Sequence, residues 1–167
     1  IGSYQNIRET LEQKCGQING ERSDVDLVPI RYVNKGYTQE ELFGFYRASK
    51  IGLVTPLRDG MNLVAKEYVA AQDPEDPGVL ILSHMAGAAE DLTDAILVNP
   101  YDIEDMSEAL KTALALPLEE RKRRHANLMA QVRATDVNRW SQTYVQALKN
   151  CAPTLVVNPP AREWSEA

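Results

Sequence analysis

Apolar positions along the chain follow two alternating spacings, one typical of helices and one typical of strands. Apolar residues three, four or seven positions apart predict a first helix over 3–19. Short continuous apolar runs, each bounded by turn residues, predict buried strands at 51–54, 79–82 and 95–98. A run rich in β-branched residues predicts a further strand at 25–33. The chain is therefore predicted to mix helices and strands along most of its length.

Helical patterns fill most of the gaps between these strands, and the start of each helix carries a capping signal. Thr38 and Glu41 form a capping box, and Asp102 and Asp136 are suited to accept hydrogen bonds from helix-terminal amides. Pro117 fits the first turn of a long helical region. Continuous apolar strands that alternate with helices predict an α/β fold, with a mostly parallel sheet covered by helices on both faces.

The length and charge of the chain exclude several classes of protein. Its 167 residues suit one domain, expected at 1–150 and followed by a flexible tail at 151–167. A net charge of −6 argues against a nucleic acid partner, because binding a phosphate backbone requires excess positive charge. No apolar run reaches the roughly 20 residues of a membrane helix, and the first residues do not form a secretory signal. We expect a cytoplasmic protein with no membrane partner, in which Cys15 and Cys151 are reduced thiols.

The most informative stretch for chemistry is 54–68, which is predicted to run from a strand through a turn into a helix. In a parallel sheet, ligands bind at the carboxyl ends of the strands. Gly60 permits dihedral angles that other residues avoid, and the amides of 61–64 at the helix start suit a diphosphate. Asp59 can accept hydrogen bonds from sugar hydroxyls, and Glu67, one turn along, can bind two neighbouring hydroxyls of a ribose. An ordinary Asp-Gly turn before a helix would contain the same residues.

Other chemical signals in the chain are weak. His84 follows a predicted strand, where it can face a cleft or solvent, and His125 lies in a charged run at 121–125 that is expected to face solvent. There is no dinucleotide-binding or Walker glycine motif. Two histidines and two distant cysteines assemble neither a catalytic triad nor a metal-ligand set, so we expect no metal and no cofactor.

The run 53–68, L-V-T-P-L-R-D-G-M-N-L-V-A-K-E-Y, resembles the signature of the trehalose-6-phosphate synthases. These are retaining glycosyltransferases of the two-domain GT-B type. The likeness covers roughly 4–148, and its further matching segments are 4–8, 18–20, 70–74, 86–92 and 98–102.

The resemblance implies a Rossmann-like fold, the C-terminal domain of a GT-B enzyme that transfers glucose from UDP-glucose to glucose-6-phosphate with retention and without a metal. By this likeness, UDP-glucose would bind to Tyr37, Asp59, Gly60, Met61, Asn62, Leu63, Val64, Ala65, Lys66 and Glu67. Asp59, the candidate catalytic residue, would meet glucosyl hydroxyls together with Gly60, Met61 and Asn62, and Glu67 would bind the ribose. Tyr37 would lie beside the nucleotide, although ordinary packing at a helix entry would also account for an aromatic residue there.

The chain departs from the family pattern at its N-terminal side. The Arg/Lys pair that grips the diphosphate in the family belongs to an R-L-D-Y-x-K-G-type stretch, which is absent here. The acceptor site belongs mostly to an N-terminal domain, which this chain also lacks. Because the chain begins at Ile1 without a Met, we expect a segment of a longer protein, truncated at the N-terminal side of its sheet. Such a segment is expected to be inactive by itself, and its open sheet edge is expected to favour a homo-oligomer.

Two other functions fit the same sequence. One is a non-catalytic module that binds a sugar nucleotide and regulates a partner. The other is a pseudo-glycosyltransferase, which keeps the fold and uses a cyclitol acceptor. The residues that would separate the last reading from a synthase lie on the acceptor side, which is not part of this sequence.

Overall fold

The computed structural model describes residues 2–151, with side chains described from residue 5 onward. Most of the predicted tail at 151–167 therefore lies outside the described residues. Within them the helices are α1 (Gly2–Arg22), α2 (Gln39–Ala48), α3 (Leu63–Ala71), α4 (Ile103–Ala115), α5 (Leu118–Ala134) and α6 (Val137–Asn150). The strands are β1 (Ile51–Val54), β2 (Val79–Ser83) and β3 (Ile96–Val98), and a single 3-10 turn lies at Gly87–Ala89.

The chain divides into two compact units, Ile1–Thr38 and Gln39–Ala167. In the first unit, the segment after α1 is held to the helix by one asparagine. The Asn19 side-chain amide donates to the carbonyl oxygen of Ile30 at 2.8 Å and its oxygen accepts from the amide of Ile30 at 2.9 Å. Helix α1 continues past Asn19 and extends to Arg22, three residues beyond the predicted range.

The strand predicted at 25–33 is wrong. The structure has only an isolated bridge between Asp24 and Leu27 in this region. Val25 is 96% exposed and Val28 is 50% exposed. A β-branched run forms a strand only where a neighbouring strand accepts its backbone hydrogen bonds and packs its side chains. The described residues offer no such neighbour to this run.

The second unit is built on a three-stranded sheet in the order β1-β2-β3, with both pairs parallel. All five residues of the central strand β2 are buried. Because the strands are parallel, their carboxyl ends lie at one edge of the sheet. The loops that follow β1 and β2 are therefore neighbours.

Helices cover both faces of this sheet, as predicted. One apolar cluster joins alternate residues of β2 to α3 and α5, and it includes Leu80, Leu82, Ala65, Val69 and Leu128. The other cluster joins the remaining β2 residues to α4, and it includes Val79, Ile81, Ala109 and Ala113. Successive residues of a strand point to opposite faces, so a strand buried on both sides must be apolar throughout.

The predicted caps of the later helices are confirmed. The carboxylate of Asp102 accepts hydrogen bonds from the amides of Glu104 and Asp105, both at 3.0 Å, at the start of α4. Asp136 accepts from the amide of Arg139 at 2.8 Å at the start of α6. Pro117 lies one position earlier than predicted, just before the first residue of α5.

Candidate functional site

The loop between β1 and α3 is organised by the carboxylate of Asp59. One oxygen of this carboxylate accepts from the amide of Met61 at 3.1 Å. The other accepts from the side-chain amide of Asn62, also at 3.1 Å. Asp59 is half-buried, and of its two bonds the one from Asn62 is partly shielded from water while the one from Met61 is exposed. The carboxylate therefore closes the loop on itself just before the helix begins.

Asn62 caps α3 from a left-handed backbone conformation. Its φ is 78° and its ψ is 88°, and its side-chain oxygen accepts from the amide of Ala65 at 2.9 Å. Asparagine tolerates this conformation better than most residues. The expectation that Gly60 supplies the unusual dihedral angle is wrong, because among the described residues no glycine has a positive φ. The strain is located two residues later, at Asn62.

Gly60 leaves space open beside the loop instead. A Cβ atom added to Gly60 would meet no heavy atom within 4 Å. Gly60 itself is exposed. A ligand could therefore approach the main chain at this position without meeting a side chain.

The start of α3 presents two backbone amides that no described group satisfies, those of Leu63 and Val64. A helix offers no carbonyl acceptor to its first amides. Of the neighbouring amides, that of Met61 donates to Asp59 and that of Ala65 donates to Asn62, whereas the amide of Asn62 itself has no acceptor among the described groups. The predicted anion site at 61–64 therefore keeps three open amides, of which those of Leu63 and Val64 belong to α3 itself. The side chains of both residues are exposed, Leu63 at 61% and Val64 at 44%.

The loop after β2 supports the loop after β1 through three backbone hydrogen bonds. The amide of Asp59 donates to the oxygen of Met85 at 3.3 Å, and the amide of Gly87 donates to the oxygen of Asp59 at 3.0 Å. The amide of Ala88 donates to the oxygen of Met61 at 2.7 Å. The loop after β2 was not predicted to belong to the site. Its position directly after the neighbouring parallel strand was the signal that could have done so.

Lys66 bonds to protein groups on either side of the site. Its ammonium lies 3.3 Å from a carboxylate oxygen of Asp91 and 3.3 Å from the hydroxyl of Thr135. Only 16% of the Lys66 side chain is exposed, against 39% for Asp91. The structure brings Lys66 to two partners that the sequence did not indicate, and the expectation that Lys66 binds the donor stays a prediction.

Glu67 lies on the side of α3 that contacts α2. Burial raises the pKa of Tyr46 in α2, and the negative charge of Glu67 raises it further. Glu67 is half-buried and so remains partly accessible to solvent. The neighbouring Lys66 points to the opposite side, toward α5.

A groove of about 540 Å³ lies between the start of α3 and the junction of α5 with α6. One wall comes from the two loops and α3, and its residues are Gly60, Met61, Leu63, Lys66, Gly87, Ala88 and Asp91. The other wall comes from the α5–α6 junction and α6, and its residues are Thr135, Asp136, Val137, Arg139, Trp140 and Thr143. Glu67 and Val64 do not line it, so the site has two sides, separated by the first turn of α3.

Tyr37 belongs to the first compact unit, whereas the other candidate residues belong to the second. The ammonium of Lys35 lies 4.7 Å from the centre of the Tyr37 ring. Asp59 to Glu67 lie together because they are consecutive in the chain, and their predicted roles, like that of Tyr37, stay predictions.

The two histidines differ in environment. His84 is exposed and does not line the groove. The expectation that His125 faces solvent is wrong, because this residue is only 8% exposed and its Nε2 lies 3.1 Å from the carbonyl oxygen of Val69. Leu128, one turn later in α5, is buried as well, so this face of α5 packs on α3.

Three further features of residues 2–151 bear on the class of site. No three His, Cys, Asp or Glu side chains converge there in a way that could hold a metal ion. Over the same residues, no helix combines the length and apolar character needed to cross a membrane. Cys15 and Cys151 are both free thiols.

Residues 1–150 match the family described as glycosyltransferase family 20. The chain belongs to this family. A trehalose-6-phosphate synthase from Enterobacter sp. (strain 638) is 51% identical over 156 residues. This match covers 93% of the present chain and 33% of the relative, so the chain spans about a third of the length of the curated relatives it matches.

Solved structures of family members have the same fold. A structure described as trehalose-6-phosphate from E. coli bound with UDP-2-fluoro glucose has a TM-score of 0.87 and 47% identity, covering 92% of this chain and 34% of that one. A UDP-forming alpha,alpha-trehalose-phosphate synthase from Burkholderia xenovorans, in complex with glucose-6-phosphate, has a TM-score of 0.86 and 50% identity, covering 89% and 33%.

Proposed function

We propose that this chain is the donor-binding part of an enzyme that transfers glucose from UDP-glucose to glucose-6-phosphate, forming trehalose-6-phosphate with retention. The family assignment and the names of the relatives support the reaction. The open amides of Leu63 and Val64 at the start of α3 support the donor role more directly than any other observation. They lie at the carboxyl edge of the parallel sheet, where this fold class binds ligands.

The donor diphosphate is held by these two amides. A helix start carries a partial positive charge, and its first amides point along the axis toward an anion. When the bond between glucose and phosphate breaks, negative charge grows on the departing diphosphate. Amides that are already fixed in position stabilise that charge without reorganising. Asp59 and Asn62 fix them by closing the loop and capping the helix.

The glucosyl group lies over the loop itself. The oxygens of Asp59 each accept one protein hydrogen bond, and a carboxylate oxygen has a second lone pair available for a sugar hydroxyl. Gly60 lets the sugar approach, because no side chain stands in the way. Met61 and Asn62 complete this part of the site.

The nucleoside lies on the α2 side of α3. Glu67 accepts hydrogen bonds from the two ribose hydroxyls, one turn after the amides that hold the diphosphate. Ala65 lies between these two positions, and the place of Tyr37 beside the nucleotide stays a prediction. Lys66 lies beside this site and bonds to Asp91 and Thr135.

The acceptor would be held by the remainder of a full-length protein, since the chain matches only 33% of a relative's length. Attack on the same face that the diphosphate leaves accounts for retention. A coupled assay for UDP release, run on this chain with UDP-glucose and glucose-6-phosphate, should show no turnover. Turnover at a rate typical of an enzyme, roughly 1 s⁻¹ or more, would contradict the proposed division of the two sites.

A non-catalytic module that binds a sugar nucleotide would use the same amides, and a pseudo-glycosyltransferase would differ only in its acceptor. The intact run from Asp59 to Glu67 favours the enzyme over the module. Turnover by a full-length protein containing this chain would separate a synthase from a module, and the product would identify the acceptor.

Donor binding is tested by calorimetric titration with UDP-glucose and with UDP. The Asn62→Asp variant keeps a side-chain oxygen that caps α3 and adds a negative charge beside the two amides, although it also replaces the hydrogen bond from Asn62 to Asp59 with two neighbouring carboxylates. We expect it to weaken UDP-glucose binding by roughly tenfold, because an added charge a few ångströms away repels the diphosphate by about 1 kcal/mol.

The matched control is Asn150→Asp, which adds the same charge at the last residue of α6, beyond the groove. It should leave affinity unchanged. Equal affinities for wild type and Asn62→Asp would contradict the proposed diphosphate site.

A further inference from the structure

Lys66 connects three parts of the second unit that are distant in sequence. It belongs to the first turns of α3, and its partners Asp91 and Thr135 are 25 and 69 positions away. Asp91 follows the 3-10 turn after β2, and Thr135 follows the last residue of α5. The ammonium is largely buried, so neither bond is a freely solvated surface contact.

Thr135 is the turning point between α5 and α6. Its φ of −111° and ψ of 43° break the helical backbone, and α6 begins two residues later. Its amide and its hydroxyl both bond to the carbonyl oxygen of Gln131, at 3.0 Å and 2.9 Å. The hydroxyl thus donates to α5 and accepts from Lys66, so its orientation is fixed from both sides.

Helix α6 has few other constraints. None of its residues is buried, and its apolar side chains are largely exposed, with Trp140 at 56% and Leu148 at 57%. Trp140 and Tyr144 stack on each other within the helix, with ring centres 5.4 Å apart. The direction in which α6 leaves the sheet is therefore set mainly at the Thr135 break.

We propose that Lys66 is a positioning residue, whose ammonium fixes the α5–α6 break against the first turns of α3 and so sets the distance between α6 and the candidate donor loop. The groove between these elements then depends on one charged hydrogen-bonded node, made by Lys66, Asp91 and Thr135. Lys66 acts on the donor site through this node and does not bind the diphosphate. Only this last consequence rests on the proposed function.

The position of α6 can be measured without any ligand. Cys151 is exposed directly after α6 and accepts a spin label, while Thr112→Cys provides a second exposed site on α4 in a Cys15→Ser background. Pulsed electron spin resonance then reports the distance between α4 and the end of α6. We expect Lys66→Met to broaden this distance distribution by about twofold, because one charged node gives way to a freely rotating break.

Three further variants separate positioning from general destabilisation. Thr135→Val removes the hydroxyl and should broaden the distribution in the same way. Lys66→Arg keeps a hydrogen-bond donor within reach of Asp91 and Thr135 and should keep the distance distribution narrow. The matched control is Lys122→Met on α5, which breaks the ion pair of Lys122 with Glu75 and should leave the distance distribution unchanged. An unchanged distribution in Lys66→Met and Thr135→Val would overturn the proposal. If Lys66→Met does not fold, Thr135→Val alone decides the result.

The affinity for UDP-glucose tests whether Lys66 acts on the donor site only through its partners and does not bind the diphosphate. A positioning role predicts a similar, small loss of about threefold in Lys66→Met and Thr135→Val. A direct bond to the diphosphate predicts a loss of roughly ten- to a hundredfold in Lys66→Met and none in Thr135→Val, which would overturn the proposal. If the wild-type chain binds no nucleotide, the proposed function fails, while the distance measurement still decides whether Lys66 positions α6.

Discussion

Gly87 lies so close to Gly60 that a methyl group on Gly87 would collide with the carbonyl oxygen of Gly60. This contact lies where the loop after β2 supports the loop after β1. The amide of Gly87 also donates to the oxygen of Asp59 at 3.0 Å. The two loops are therefore packed backbone on backbone, which only a residue without a side chain permits at position 87.

We predict that Gly87→Ala destabilises the chain by about 1–3 kcal/mol, since the added methyl group must push the two loops apart. Urea denaturation followed by circular dichroism gives the free energy of unfolding. Gly60→Ala is the matched control, because a Cβ there meets nothing within 4 Å, and its stability should stay within about 0.5 kcal/mol of wild type. The same control should weaken UDP-glucose binding, since its methyl group occupies the proposed approach to the loop. A Gly87→Ala variant as stable as wild type would show that the loops do not pack as described.

Asn62 combines a helix cap with a left-handed backbone, and substitutions can separate the two. Asn62→Ala removes the capping oxygen and places alanine, which disfavours a left-handed backbone, at this position. The predicted cost to the free energy of unfolding is about 2–3 kcal/mol. Asn62→Gly loses the capping oxygen but adopts the left-handed conformation freely, so it should cost less than Asn62→Ala. The comparison uses the free energy of unfolding in urea. Equal stability of the alanine and glycine variants would mean that the backbone conformation of Asn62 carries no strain.

Much of the fold followed from local pattern. The positions of the three strands and the caps at Asp102 and Asp136 were predictable because a continuous apolar run and a capping side chain are both visible in residues close in sequence. The segment 25–33 has the same β-branched composition as a strand but no strand to pair with, and local composition does not contain that information.

The site was predictable up to the point where distant residues enter it. Asp59 to Glu67 are contiguous, so their grouping was visible in the sequence. The partners of Lys66 were not, because Asp91 and Thr135 reach it only through packing of the 3-10 turn and α5 around α3. His125 was assigned to solvent because of its charged neighbours, although a single helix can bury one residue of such a run while the next ones stay exposed.

The free energy of unfolding should depend on pH because of Glu120, near the start of α5. Hydrogen bonds from Arg123 and Arg124 lower the pKa of Glu120 from 4.5 to about 2. A carboxyl with a lowered pKa in the folded state stabilises that state above its ordinary pKa, and the contribution is lost as the pH falls. We expect the free energy of unfolding to fall between pH 4.5 and pH 2, and part of this fall to be absent in Glu120→Gln.

Urea midpoints measured across this pH range provide the check. Glu119→Gln is the control, because it removes a carboxylate one residue away and leaves the bonds of Arg123 and Arg124 to Glu120 intact. If Glu120→Gln and wild type have parallel pH profiles over this range, the ion pairs do not contribute to folding.

The central claim is that the amides of Leu63 and Val64 hold the diphosphate of UDP-glucose. Nuclear magnetic resonance of the 15N-labelled chain during titration with UDP-glucose tests it at those atoms. We predict saturable shifts that are largest at Leu63 and Val64, with smaller ones at Glu67 and little change at the helix start of α4, which Asp102 already caps. A saturable titration in which the amides of Leu63 and Val64 do not move, or no response at millimolar UDP-glucose, would contradict the account.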